Sequence, residues 1–258
     1  MDFDFIRSQC VGKAMMNYLG CSCTFFEPMD DDDPIMDAYH RARQEGSREG
    51  FVPVLVTVDK ILWECLVMNS SPGCAGRGDY AFDPEKVAQY RRQALAVSLE
   101  NSDAVLKEMA GRHKQDQPGL DGGQPGSGGG AEANDAFGSY WNPFTRKTFP
   151  LILANVPVKN PWEIFAYLPF GGWNECPDTP QLMAAAKGWF ERFGAVPAVM
   201  TRDTLEFELP APVPGEQALE LAQEQHGFCP DMDQGGGWSL AALADDLRRS
   251  TVWHFWWD

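Results

Sequence analysis

Apolar positions recur along the chain in two rhythms. Around Leu182, Ala185, Ala186, Trp189, Phe190 and Phe193 they fall three and four apart, the mark of an amphipathic helix. Thr179-Pro180 opens that helix and Gly194 closes it. The same spacing predicts helices from Pro34 through Ile35, Ala38, Tyr39 and Ala42, and from Asp83-Pro84 through Val87, Tyr90 and Ala94. Further helices are expected after Ser102, from about Gly215 to Gln225, and after Ser239, with a less regular one in the first 25 residues. Short apolar or alternating runs predict strands at Cys23–Phe26, Phe51–Val58, Ile61–Met68, Phe149–Val158 and Trp162–Leu168, then in a hairpin over Ala195–Leu209 and at the closing Thr251–Trp257.

One run occurs twice. Val52-Pro-Val-Leu-Val-Thr-Val-Asp59-Lys-Ile-Leu-Trp-Glu64-Cys65 and Val196-Pro-Ala-Val-Met-Thr-Arg-Asp203-Thr-Leu-Glu-Phe-Glu208-Leu209 share Val, Pro, Thr, Asp and Glu without a gap. Read as a repeated hairpin, each copy preceded by a Pro-initiated helix, this predicts an internal duplication. The expected fold is α+β: two related ferredoxin-like (split βαβ) modules, residues 1–158 and 159–258, with a mainly antiparallel sheet and helices packed on it. The modules either share one sheet or pack face to face. A Gly-, Pro-, Asp- and Gln-rich segment at about 115–136 is expected to be a loop in the first module.

Composition narrows the function classes. With 258 residues and 44% hydrophobic residues, a substantial core is available. A net charge of −16 argues against nucleic acid, whose phosphates need clustered Lys and Arg, and against an anionic membrane surface. No apolar run has the length of a membrane span, and the first residues are acidic where a secretory signal would be basic. The charge fits a soluble cytoplasmic protein, or one that meets a basic partner by electrostatic steering, and the seven cysteines are expected to be reduced.

Pro161-Trp-Glu-Ile-Phe-Ala-Tyr-Leu-Pro-Phe-Gly-Gly-Trp-Asn-Glu-Cys-Pro-Asp178, His226-Gly-Phe-Cys-Pro-Asp231 and Trp253-His-Phe-Trp-Trp-Asp258 resemble the bacterial family known as domain of unknown function 4253, over about residues 160–258. Phe51–Asn69 resembles the N-terminal region of longer members. The resemblance implies a bacterial, cytoplasmic protein and transfers no catalytic residue.

Four groups of residues carry candidate chemistry. His226, Cys229, Asp231 and Asp233 offer metal-ligand types at close spacing, and Cys176 would complete a zinc set with His226 and Cys229. The competing structural account makes both Cys-Pro-Asp triplets helix boundaries. Cys229 with His226 or His254 and Asp231 also has the types needed for a thiol nucleophile. Glu64 and Glu208, equivalent in the two copies, would face each other if the modules were related by a twofold axis. Phe170-Gly-Gly-Trp173 is a glycine loop without the Lys or spacing of a phosphate site. Trp173, Trp238 and Trp256 belong to an aromatic-rich region that either fills a core or presents an interface. No cofactor is predicted. The leading expectation is a non-catalytic, protein-binding and possibly immunity-like module; the alternative is a metal-binding or thiol-dependent enzyme built on the His/Cys/Asp cluster.

Overall fold

The computed structural model describes residues 3–73, 80–99, 101–116, 133–233 and 239–258. Most of the Gly-rich segment, Gly235–Gly237 and Trp238 lie outside these, as does the side chain of Asp233. Elements follow in the order α1 (Phe3–Leu19), β1 (Ser22–Phe26), α2 (Asp33–Glu49), β2 (Val52–Thr57), α3 (Lys60–Ser70), α4 (Pro84–Leu95), α5 (Ser102–Asp116) and β3 (Leu151–Val156). Then come a 3₁₀ helix at Pro161–Ala166, α6 (Thr179–Phe193), β4 (Val196–Met200), β5 (Thr204–Glu208), α7 (Gly215–Phe228), a 3₁₀ turn at Pro230–Asp233, α8 (Leu240–Leu247) and β6 (Val252–Trp256).

The fold is α+β. Its strands form a single sheet in the order β1-β3-β2-β4-β5-β6, antiparallel except at the β2/β4 junction. One face carries Val54, Val56, Ile152, Leu205, Phe207, Trp253 and Phe255 against α1, α3 and α5–α8 in the larger core. The other face carries Leu55, Leu153, Val199 and Val252, covered by Ile35, Tyr39 and Ala42 of α2 and by Phe137 and Tyr140. Strand β2 is therefore buried along its whole length, which is why its sequence is apolar without alternation.

Helix boundaries follow local chemistry. Asp83, Asp178 and Ser239 cap α4, α6 and α8 through their side chains, and α2 and α6 close on Gly50 and Gly194 at φ 83° and 71°. At α2 the cap position is Asp32, and its side chain makes no capping hydrogen bond.

Two predicted strands are helical. Ile61–Met68 lies in α3, because Asp59 Oδ1 accepts from the backbone N–H of Ile61 and Leu62 (2.6 and 3.0 Å) and starts a helix. Leu62, Trp63, Leu66 and Val67 then share its buried face, a spacing that fits a helix as well as a short buried strand. Trp162–Leu168 is mostly the 3₁₀ helix, opened by a capping box in which Glu163 accepts from the Asn160 N–H at 3.0 Å.

The first copy of the repeat is thus strand–helix and the second strand–strand. The two halves also build their strands differently, β1-β3-β2 against β4-β5-β6. The matched hairpins behind the ferredoxin-like reading are not formed. What the two copies do share is their first strand. Leu55 pairs with Val199 and Val56 with Met200 in the parallel junction, so the copies lie side by side in register.

Candidate functional site

Strands β1, β2, β4 and β6 run one way and β3 and β5 the other, as their pairings require. Their carboxyl ends therefore share one edge of the sheet. After Thr57 the chain enters α3; after Met200 it turns back into β5. Loops that part in this way leave a crevice beyond adjacent parallel strands. Here it is a pocket of about 170 Å³ lined by Thr57, Val58, Asp59, Ser139, Phe149, Thr201, Arg202 and Asp203. Both copies of the repeat contribute Thr and Asp to it.

The equivalent side chains have different duties. Asp59 caps α3. Asp203 Oδ1 accepts from the hydroxyls of Thr201 (3.0 Å) and Thr204 (3.1 Å), and its Oδ2 meets Arg202 Nε at 3.2 Å. The neighbouring wall is tied down by Glu206, only 1% exposed. Its carboxylate accepts from Gly138 N–H (2.9 Å), Ser139 N–H (3.3 Å) and the Ser139 hydroxyl (2.7 Å). Buried carboxylates of this kind are held by such donors.

The edge is acidic. Glu27, Asp30–Asp33, Asp59, Asp203, Asp231 and Asp258 stand there against Lys60, Arg146, Lys147 and Arg202. Asp31, Asp32 and Asp33 bring their oxygens within 4.8 Å of one another, and among the described residues this is the group of three or more metal-ligand types that converges. Its local role is structural: it begins α2, where carboxylates meet the positive end of the helix dipole. Tyr140 donates its hydroxyl to Asp32 Oδ2 at 2.5 Å. Beside it, Trp141 and Thr148 bridge a tight turn. Asn142 Oδ1 accepts from the N–H of Phe144 and Thr145, and Lys147 reaches Asp30 at 3.2 Å. The turn holds Phe144 94% exposed. Nothing in the sequence spacing marks this ring or the pocket, because side-chain exposure and the meeting of two strand ends are settled by tertiary structure.

The sequence-predicted clusters do not assemble in this way. Cys176, His226 and Cys229 are all buried, and they do not form a convergent ligand set. Cys229 donates its thiol to the Trp256 carbonyl at 3.0 Å, and burial pushes its pKa up to about 12. Burial raises Cys176 and Cys65 as well. Cys176 packs on Gly171, where φ is 85° and a Cβ would sit 2.1 Å from the Pro177 carbonyl. The next N–H, Gly172, is spent on the carbonyls of Cys176 and Pro177, so the glycine loop closes on itself and offers no anion cradle there. Asp178 caps α6, and Asp231 accepts from the Asp258 N–H at 2.9 Å. His254 is exposed on β6, beside a cavity of about 220 Å³ that Cys229 does not line.

Glu64 and Glu208 are not a pair. Glu64 is exposed on α3 beside Lys60 at 3.4 Å. Glu208 belongs to the α2 side, where Tyr39 donates to it at 3.1 Å and Arg43 lies 3.6 Å away. Helix α3 packs on one face of the sheet and α2 on the other, which separates them. Of the aromatic candidates, Trp173 is half-buried edge-on to Phe170 and Trp256 is half-buried at the sheet edge.

No described helix is long and apolar enough to cross a membrane. Comparison with curated proteins and with solved structures found no match. The part of the chain that builds β3 to β6 and their helices, residues 152–258, matches the family described as Domain of unknown function (DUF4253), the family its motifs resemble.

Proposed function

We propose that this is a non-catalytic binding protein whose carboxyl edge receives a basic protein partner. The observation that carries this reading is Phe144, a bare aromatic ring held on a hydrogen-bonded turn beside Asp30–Asp33. An exposed aromatic on a turn tied to an acidic segment, with Arg146 and Lys147 beside it, matches the anchor-and-rim arrangement of protein interfaces. The surrounding acids would steer a cationic partner and fix its orientation. Cys176 and Cys229 are buried and their thiols raised, which supports a binding role over thiol chemistry at that cluster, since a nucleophile needs an accessible thiolate. A cytoplasmic, immunity-like role, in which this edge masks a basic surface of another protein, is the specific form that charge favours.

The test compares three baits in cells of the source organism: wild type, Phe144→Ser, and Asp31→Asn combined with Asp33→Asn. The expected result is one basic protein retained by wild type at low salt, released as salt rises, and lost from both variants. Equal recovery by all three baits, or recovery by none, would count against the edge as the recognition surface.

A further inference from the structure

At the opposite edge of the sheet, where β1 begins, Cys21 and Cys23 hold their sulfur atoms 3.9 Å apart. Residues two apart along extended chain project to the same side, and here that side is the margin of the larger core. Both thiols are half-buried, so they remain within reach of solvent, unlike Cys65, Cys176 and Cys229. Arg91 crosses from α4 and donates to the carbonyls of Tyr18 (2.7 Å) and Leu19 (3.2 Å) at the end of α1. Its guanidinium stacks on Tyr167 at 4.2 Å, which fixes the charge in place, and its Nε is buried without a hydrogen-bond partner.

From this geometry we infer that Cys21 and Cys23 form a reversible dithiol–disulfide site, with Cys21 as the attacking sulfur and Cys23 as the resolving one. The contact between the two sulfurs lowers Cys21 below the usual thiol range against the opposing effect of burial, with a smaller contribution from the Arg91 charge, while Cys23 is raised by the same contact and by burial. The oxidant is a small-molecule disulfide of the glutathione class. The Cys21 thiolate attacks one of its sulfurs, breaking that S–S bond and expelling one thiolate. Cys23 then loses its proton and attacks the Cys21 sulfur, expelling the second thiolate. Two electrons pass from the protein dithiol to the small disulfide, giving one intramolecular S–S bond and two free thiols. Closing the pair takes the sulfurs from van der Waals contact to a bond of about 2.05 Å. A bridge across only one intervening residue is strained, which favours its reduction when the surroundings become reducing.

The experiment needs no partner and no variant to begin with. Native protein is equilibrated with oxidised glutathione, quenched and cleaved with trypsin. The peptide Ala14–Arg41 contains Cys21 and Cys23 and no other cysteine. It is expected to lose two hydrogens and regain them with dithiothreitol. Cys23→Ser should instead accumulate glutathione on Cys21, and Cys21→Ser should slow capture at this peptide about tenfold or more. Arg91→Gln, a change at a positioning residue, should move the pH midpoint of Cys21 capture upward. A peptide that stays a dithiol while exposed Cys10 becomes glutathionylated would overturn the inference, as would faster capture by Cys23 than by Cys21.

Discussion

Leu55 and Val199 face each other across the parallel junction of β2 and β4. They occupy the same place in the two copies of the repeated run, so the likeness in sequence has become adjacency in space. Beyond them, Thr57 and Thr201 are both buried and both line the seam pocket, followed by Asp59 and Asp203.

Those two aspartates should respond differently to removal. Asp59→Ala takes away the cap of α3 and is expected to lower stability by about 1 kcal/mol. Asp203→Ala frees the Thr201 and Thr204 hydroxyls at the β4–β5 turn and should cost about 1–2 kcal/mol, with faster amide exchange in that hairpin. Glu64→Ala, which loses only an exposed contact with Lys60, should change stability by no more than about 0.5 kcal/mol. Urea unfolding of the three variants would rank them; a Glu64 effect as large as that of Asp203 would contradict this assignment.

Glu206→Ala is expected to be more severe. It leaves the N–H groups of Gly138 and Ser139 and the Ser139 hydroxyl without their acceptor under the α2 face. A loss of about 3 kcal/mol is expected, together with increased hydrogen exchange over residues 134–149. Unchanged exchange there would mean that the carboxylate does not anchor this wall of the pocket.

Gly227 lets α7 pass close against the backbone of α5. A Cβ at this position would lie 2.5 Å from the Ala110 nitrogen and 2.6 Å from its Cα. Backbone cannot yield as a flexible side chain can, so Gly227→Ala should destabilise by about 1–3 kcal/mol through overpacking, outweighing the better helix propensity of Ala. The midpoint of urea unfolding at constant slope measures this, and a stabilised variant would refute it.

Cys229 gives stability a dependence on alkaline pH. Burial holds its thiol near 12 in the folded protein, against an ordinary value near 9. Between those values the folded state keeps a proton that the unfolded state has released. Stability is therefore present below about pH 9 and declines as pH rises toward 12. Tyr18, also raised to about 12 by burial, adds to the same decline. Cys229→Ala should reduce the slope without abolishing it. An identical slope in the variant would show that the sulfur is ionised as readily in the fold as outside it.

Much of the architecture was legible from spacing. Helix α6 announced itself because six apolar residues keep one face and both ends carry stop signals. Helix α3 did not, since Ile61-Leu-Trp-Glu-Cys-Leu-Val-Met68 satisfies a short buried strand as well as a helix. The deciding contact, Asp59 with two backbone N–H groups, is local but is chosen by packing against the larger core. Among candidate residues, the pairing of Glu64 with Glu208 failed with that hairpin. Phe144 and the Cys21–Cys23 pair stood in plain sight, but single-chain spacing does not report exposure or an Arg91 arriving from another helix.

By itself, the order of residues determined what short-range forces settle: caps, breakers, the faces of amphipathic helices, the acidic balance, and two strands alike enough to take the same place. Which strands became neighbours was a matter for the folded chain. Burying β2 required a paired strand along each edge as well as helices over each face, and β3 and β4 supplied the edges from residues far along the sequence. The pocket, the acidic edge and the separation of the glutamates all follow from that long-range pairing, whose free energy resides in covered apolar surface and appears in no local pattern.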